Sequence, residues 1–252
     1  KNLMELGALA NEMRERLHGD RTYFNRNFHI NATNVCVASC MFCSFARLKE
    51  GDPGAYTMKL EEAWGKLQSR LDAGQEVTEI HIVNGLHDGL SFEYYEELLR
   101  GLKRIKPDIH LKAFTAVEIH YYAQHYGMTI EEVLRRLHAA GLDSLPGGGA
   151  EIFAPRVRKK ICDDKCTGDE WLAVHRAAHR MGLRSNCTML YGTIETVEER
   201  VDHMLALRAL QEETGGFQTF IPLAFHPEGN DLMKLPAPTG VEDLRTYAVA
   251  RL

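Results

Sequence analysis

Phe28-His29-Ile30-Asn31-Ala32-Thr33-Asn34-Val35-Cys36-Val37-Ala38-Ser39-Cys40-Met41-Phe42-Cys43 runs from an apolar, β-branched stretch straight into three cysteines. The stretch from Phe28 to Val35 reads as a strand. The loop that leaves it carries the pattern Cys-x3-Cys-x2-Cys, three thiols with no fourth nearby. An iron–sulfur cubane normally takes four cysteines, so three would leave one iron open to another ligand.

Two plainer readings of the triplet are weaker. A structural zinc site closes with four ligands, commonly in two close pairs, whereas Cys162 and Cys166 lie far along the chain and Cys187 stands alone. Six cysteines in 252 residues is ordinary usage, with no signal peptide or disulfide-dense pattern, so a reduced, cytoplasmic protein is expected. A net charge of −5 supplies no basic field for nucleic acid. Although 44% of residues are hydrophobic, no run approaches the roughly 20 apolar residues of a membrane helix.

Outward from the cysteines the chain alternates short strands with helices. Strands are expected at Phe28–Val35, Glu79–Asn84, His110–Val117, Ser144–Pro146, Ser185–Tyr191 and Phe217–Phe225, the fourth being the weakest. Capping boxes mark helix starts at Thr129/Glu132, Thr167/Glu170, Thr196/Glu199 and Thr239/Glu242. Gly74, Gly141, Gly182 and Gly215-Gly216 mark helix ends. A βα period implies parallel strands with right-handed crossovers. A doubly wound sheet would satisfy this, but the phosphate-binding glycine fingerprint after the first strand is missing. The expected fold is therefore α/β, a TIM-type (βα) barrel with six βα units, its chemistry on loops at the C-terminal strand ends. One domain is expected over 1–252, with 1–26 as an N-terminal helical extension. Because the chain opens on Lys1 and its last helix runs uncapped to Leu252, it reads as the front part of a fuller barrel.

The other strand ends carry Asn84-Gly85-Leu86-His87, Glu118, Gly147-Gly148-Gly149-Ala150-Glu151, Asn186 with Thr188, Tyr191-Gly192 and His226-Pro227-Glu228. Singly, such glycines are turns and such carboxylates are helix caps. Together they converge on the mouth that the cysteines occupy. Gly85 and Gly147 to Gly149 would let a cofactor approach the backbone.

The cysteine pattern, with Phe42 as the aromatic before the last cysteine, resembles the radical S-adenosylmethionine (radical SAM) superfamily. More narrowly, the stretches His29-Ile30-Asn31, Asn84-Gly85-Leu86-His87, Phe114-Thr115-Ala116-Val117-Glu118, Pro146-Gly147-Gly148-Gly149-Ala150-Glu151 and Phe220-Ile221-Pro222-Leu223-Ala224-Phe225-His226-Pro227 are similar to the aminofutalosine synthases of the futalosine route to menaquinone. Asp88 stands where that family usually has proline. The resemblance implies a [4Fe-4S] cluster on Cys36, Cys40 and Cys43, and S-adenosyl-L-methionine consumed as co-substrate. It implies contacts to that cofactor from Phe42, Asn84, Gly85, Glu118, Gly148, Glu151 and Asn186, with His226 and Tyr191 as catalytic hydrogen-bond donors. The implied reaction adds the 5′-deoxyadenosyl group to 3-[(1-carboxyvinyl)oxy]benzoate, with rearrangement and decarboxylation, and draws electrons from a flavodoxin or ferredoxin.

Two alternatives stay open at this stage: the related cyclic dehypoxanthine futalosine synthase, acting by hydrogen abstraction, and a non-catalytic iron–sulfur electron carrier. A dianionic substrate calls for cations. The strands offer only Lys112 and Arg184, both near strand starts, so the clamps are expected from loops or from beyond Leu252. Cys162 and Cys166, separated by Asp163-Asp164-Lys165, read as surface thiols, and Cys187 as a small core residue. His120 and His125 have no chelating spacing.

Overall fold

In the computed structural model, which describes residues 2–252, six parallel strands alternate with helices. Helix α1 (Leu3–His18) precedes β1 (Asn27–His29), and the chain continues through α2 (Leu60–Asp72), β2 (Glu79–Ile82), α3 (Phe92–Ile105), β3 (His110–Ala113), α4 (Ala116–His125), α5 (Ile130–Ala140) and β4 (Ser144–Leu145). It ends with α6 (Pro155–Ile161), α7 (Gly168–Arg180), β5 (Arg184–Tyr191), α8 (Val197–Thr214), β6 (Phe217–Ala224) and α9 (Gly240–Arg251). Lys1 lies outside the described residues.

The strands stand in the sheet in chain order, β1 to β6. With right-handed crossovers always moving in one direction, every connecting helix falls on the same face. The result is an open half-barrel, the α/β barrel architecture expected from the sequence. Its outer face is apolar: Phe28, Ile80, Ile82, Leu111 and Leu145 pack into one core with Leu98, Leu102, Leu134 and Trp171 of the helices. The alternate positions, Asn27, His29, Glu79, His81, His110 and Lys112, point to the inner, concave face. Among the described residues no helix is long and apolar enough to cross a membrane.

Several boundaries differ from expectation for a visible reason. β1 stops at His29, not Val35, because side-chain amides take over from the ladder beyond it: Asn84 Oδ1 accepts the Ala32 N–H (2.6 Å) and Asn31 Oδ1 the Val83 N–H (3.3 Å). β3 stops at Ala113, not Val117, since Thr115 caps α4 in a full capping box with Glu118. The boxes at Thr129, Thr167 and Thr196 all form. At Thr239 only the threonine half forms, because Glu242 instead pairs with Arg200 at 2.7 Å. The N-terminal extension is helical only over Leu3–His18, ending at Gly19 with φ 60°.

Candidate active site

The cysteine segment leaves the top of β1 and is fastened from three sides. Cys36 N–H donates to Arg47 O (2.8 Å), Val37 N–H to Leu86 O (2.9 Å) and Met41 N–H to Ile161 O (2.9 Å), while Met41 O accepts Asp231 N–H (2.8 Å). Ser39 donates twice to one Asp164 oxygen, from its N–H (2.9 Å) and its hydroxyl (2.6 Å). The three thiols are half-buried and free of disulfides. Burial pushes the Cys36 thiol up and that of Cys40 up to about 12, so both are protonated until a metal displaces the proton. Cys43 Sγ accepts the Ala46 N–H at 3.4 Å.

The end of β2 braces this loop from below. A Cβ on Gly85 would lie 2.1 Å from the Val35 carbonyl oxygen, so the chain's own approach, and no external group, requires glycine there. Gly147 is likewise filled by Cys187, whose Cα would lie 2.6 Å from an added Cβ. Gly148 is freer, with Thr115 Cγ2 nearest at 3.1 Å. Glu118 is fully engaged: Oε1 accepts the Asn84 N–H (3.0 Å), and Oε2 accepts the Thr115 N–H (2.8 Å) and hydroxyl (2.9 Å). At 1% exposure it ties β2 to α4 instead of opening into the mouth. Burial pushes its carboxyl up to about 7 against those three donors. Asn84 differs, since its Nδ2 is buried with no hydrogen-bond partner among the described residues.

A residue that sequence reasoning missed completes the mouth. Lys165 donates to Glu151 Oε1 at 2.7 Å, with the two side chains 14% and 10% exposed, and its ammonium lies 5.1 Å from the Phe42 ring centroid. Burial alone would lower the Lys165 pKa, but the charge and hydrogen bond of the Glu151 carboxylate raise it above its ordinary value. Glu151 holds a left-handed backbone (φ 46°), a conformation costly for a side-chain-bearing residue and concentrated at functional positions. The lysine was hidden in Cys162-Asp163-Asp164-Lys165-Cys166, whose charges suggested an exposed loop. That expectation is corrected: Cys162 and Cys166 are 3% and 6% exposed, because the segment docks on the cysteine loop through Asp164 and Ile161. Cys187 is buried in the main core, as expected.

The remaining expected residues separate. Asn186 sits beside Thr219 on the inner face and makes no side-chain hydrogen bond among the described residues. Tyr191 points the other way, into the helical layer, and its hydroxyl donates to Asp243 of α9 at 2.6 Å. This removes it as a free donor at the mouth. His226 is exposed just beyond β6, its Nδ1 facing the Glu228 N–H at 3.4 Å. His87 is buried and bridges Glu50 (3.0 Å) and the Gly89 N–H (2.9 Å). A cavity of about 170 Å³ opens beside Lys165, between Leu86, Val117, Tyr121 and Cys166. Another cavity, about 700 Å³, lies between α8, α9 and β6 and is lined by none of the three loop cysteines.

A sequence profile described as the radical SAM superfamily matches residues 30–207, spanning the cysteine loop and β2 through β5. The chain belongs to the radical SAM superfamily. Enzymes of this superfamily use a [4Fe-4S] cluster and S-adenosylmethionine, and the residues of this radical SAM chain suit both. The donors are three soft thiols, and among the described residues no three His, Cys, Asp or Glu side chains converge on a single metal ion. A cubane spreads its cysteines over separate irons, whereas zinc would need them gathered. Asn84 Nδ2 and the Lys165–Glu151 pair supply polar groups suited to a zwitterionic ligand.

The radical SAM chain is 48% identical to the aminodeoxyfutalosine synthase of Thermus thermophilus over 256 aligned residues, covering 100% of this chain and 68% of that protein. It is 49% identical to the enzyme of the same name from Streptomyces coelicolor, covering 100% and 67%. The 5-amino-6-(D-ribitylamino)uracil–L-tyrosine 4-hydroxyphenyl transferase of Methanopyrus kandleri is 43% identical, covering 96% and 66%. The chain thus spans about two thirds of these relatives' length. Among solved structures, methylornithine synthase superposes with a TM-score of 0.73 over 99% of this chain and 67% of that one; at 17% identity this speaks for the fold alone.

Proposed function

We propose that this chain carries the catalytic half-barrel of an aminodeoxyfutalosine synthase. It would join the adenosyl group of S-adenosylmethionine to the enol-ether carbon of 3-[(1-carboxyvinyl)oxy]benzoate, with rearrangement and loss of carbon dioxide. The observation that carries this reading is identity of 48–49% along the whole chain to two enzymes of that name.

Cys36, Cys40 and Cys43 would hold the [4Fe-4S] cluster, which when bound supplies the electron that breaks the carbon–sulfur bond of S-adenosylmethionine. The protein's own work is positional. Lys165 and Glu151 form a buried cation–anion pair matched to the carboxylate and ammonium of a methionyl group. Asn84 Nδ2 is a buried donor with no hydrogen-bond partner among the described residues, Gly148 leaves room beside Thr115, and Asn186 lies on the inner face below. Phe42 shields Lys165 from water. Glu118 and Gly85 keep these groups in register, and His226 stands over the β6 end as the open hydrogen-bond donor. A flavodoxin- or ferredoxin-type donor in a reducing cytoplasm would deliver the electron.

The second reading is the tyrosine 4-hydroxyphenyl transferase reaction, favoured by the 43% identity to the M. kandleri protein. Anaerobic turnover with adenosyl-labelled S-adenosylmethionine separates the two. Label carried into a larger product supports adenosyl transfer to the alkene. Label recovered only as 5′-deoxyadenosine rejects it.

A further inference from the structure

One register row crosses five strands on the inner face. His29 pairs with His81, His81 with Lys112, Lys112 with Ser144, and Ser144 with Arg184. In a parallel sheet, paired residues project to the same side. Since Phe28, Ile80, Leu111 and Leu145 fill the helical side, this row faces the concave side. It therefore presents two permanent cations, two imidazoles and a hydroxyl on one line.

The row is charged beyond its own needs. The carboxylate that reaches it is Glu79, which takes Lys112 Nζ at 3.1 Å and contacts His81 Nε2, and lies 3.8 Å from His110 Nε2, while Asp143 beside Ser144 is taken by Lys103 at 2.7 Å. His110 in turn reaches Ser144 Oγ at 2.7 Å. Arg184 makes no ion pair and no side-chain hydrogen bond among the described residues. Lys112, with its side chain 8% exposed, keeps two ammonium protons beyond the one that Glu79 accepts. A half-buried cationic strip with one neutralising carboxylate is a receptor for an anion.

The depth of the strip selects the kind of anion. His81 precedes Gly85 by four residues, so the row lies roughly 13 Å of strand rise below the cysteine loop. An anion bound there is held away from the reacting end by a rigid spacer, and an aromatic ring fits that description. We propose that the row His81–Lys112–Ser144–Arg184 is the subsite for an aryl carboxylate, gripping the far end of the substrate while its alkene lies near the mouth. This rests on the adenosyl-transfer reading for the substrate's identity, and it revises the expectation that Lys112 and Arg184 sit too deep to matter. With strands of two to four residues at β1 through β4, the strand starts are the floor of a shallow bowl.

The test is equilibrium binding of 3-methoxybenzoate to the cluster-loaded chain under anaerobic conditions, by ligand-observed NMR, with 3-methoxybenzamide as the uncharged control. Arg184→Gln removes an exposed, unpaired cation and leaves the fold alone. The double variant Lys112→Met with Glu79→Gln removes both buried charges together, leaving no lone carboxylate. Each is expected to weaken benzoate binding about tenfold while S-adenosylmethionine affinity stays unchanged, and the benzamide should bind at least as weakly to the native chain. Benzoate affinity unchanged in both variants, equal binding of the benzamide, or no benzoate binding at millimolar concentration would overturn the assignment. The labelled turnover is read separately: benzoate held by the row with label only in 5′-deoxyadenosine keeps the subsite and rejects adenosyl transfer. Label in a larger product with benzoate indifferent to both variants does the reverse.

Discussion

Lys165 and Glu151 meet at 2.7 Å beneath the Phe42 ring, joining the segment after α6 to the glycine-rich turn after β4 directly under the cysteine loop. Removing one partner of a buried pair leaves the other charge without compensation. Lys165→Met should therefore cost about 3 kcal/mol or more of folding stability, read from the denaturant midpoint. Lys165→Met with Glu151→Gln should recover much of that stability while still failing to bind S-adenosylmethionine. A double variant that binds the cofactor normally would place the pair outside the site.

Asp164 acts on the loop through Ser39 and is itself exposed. Asp164→Ala should leave the melting temperature nearly unchanged, since exposed hydrogen bonds contribute little. It should, however, lower the iron retained per chain after anaerobic reconstitution, because the segment between Cys36 and Cys40 loses two fastenings. Equal iron content and equal visible absorbance in variant and native chain would show that the loop is held without it.

Two glycines predict opposite outcomes. Gly85→Ala forces a Cβ to 2.1 Å from backbone at Val35, which only a shift of the cysteine segment can relieve. It should cost at least about 2 kcal/mol and lose the cluster. Gly148→Ala meets only a methyl at 3.1 Å and should fold with a loss below about 1 kcal/mol. If it also weakens S-adenosylmethionine binding, Gly148 lines the cofactor; unchanged binding means that it does not.

Glu79 sets an acid limit. Burial would raise its pKa, but the hydrogen bonds and charges of His81 and Lys112 hold it down to about 2, against an ordinary value of 4.5. A carboxyl depressed in the folded state contributes stability that is complete above its unfolded pKa and is lost as pH falls through the folded one. Urea midpoints of the native chain should thus decline between about pH 4.5 and 2. The Glu79→Gln chain should show a shallower decline over that window.

How much of this was legible in the sequence depends on the range of the interaction that decides each feature. The boxes at Thr129, Thr167 and Thr196 are settled within three residues, and they form as read. The strand-to-cysteine junction was equally local. The box at Thr115 was passed over because Ala116 to Val117 carried on the apolar pattern of β3. Lys165 was illegible because the groups that cover it, Glu151 and the Phe42 ring, come from other parts of the chain; a lysine close before a cysteine in a charged run was the only local sign. Tyr191 failed for lack of a facing: alternation along β5 says which residues share a side, and only Asp243 of α9 says which side is which.

A thiol-labelling experiment follows from the corrected burial. Burial pushes Cys166 up to about 11 and Cys187 up to about 12, and raises Cys162 as well, so their thiolate fraction near neutral pH is very small. All three should stay unlabelled by an aromatic disulfide reagent in the native chain and react on denaturation. Fast native labelling at Cys162 would show that the 161–166 segment undocks readily.

The fastenings of the cysteine loop also set an order of assembly in time. Cys36, Cys40 and Cys43 leave the ribosome early, whereas Asp164, Lys165 and the Asp231 amide that secures Met41 come far later in the chain. At ordinary translation rates the nascent thiols wait on the order of ten seconds or more before their shelter exists. During that interval they are open to oxygen and to stray metals, and iron and sulfide supplied only once the barrel has formed would meet thiols already half-buried.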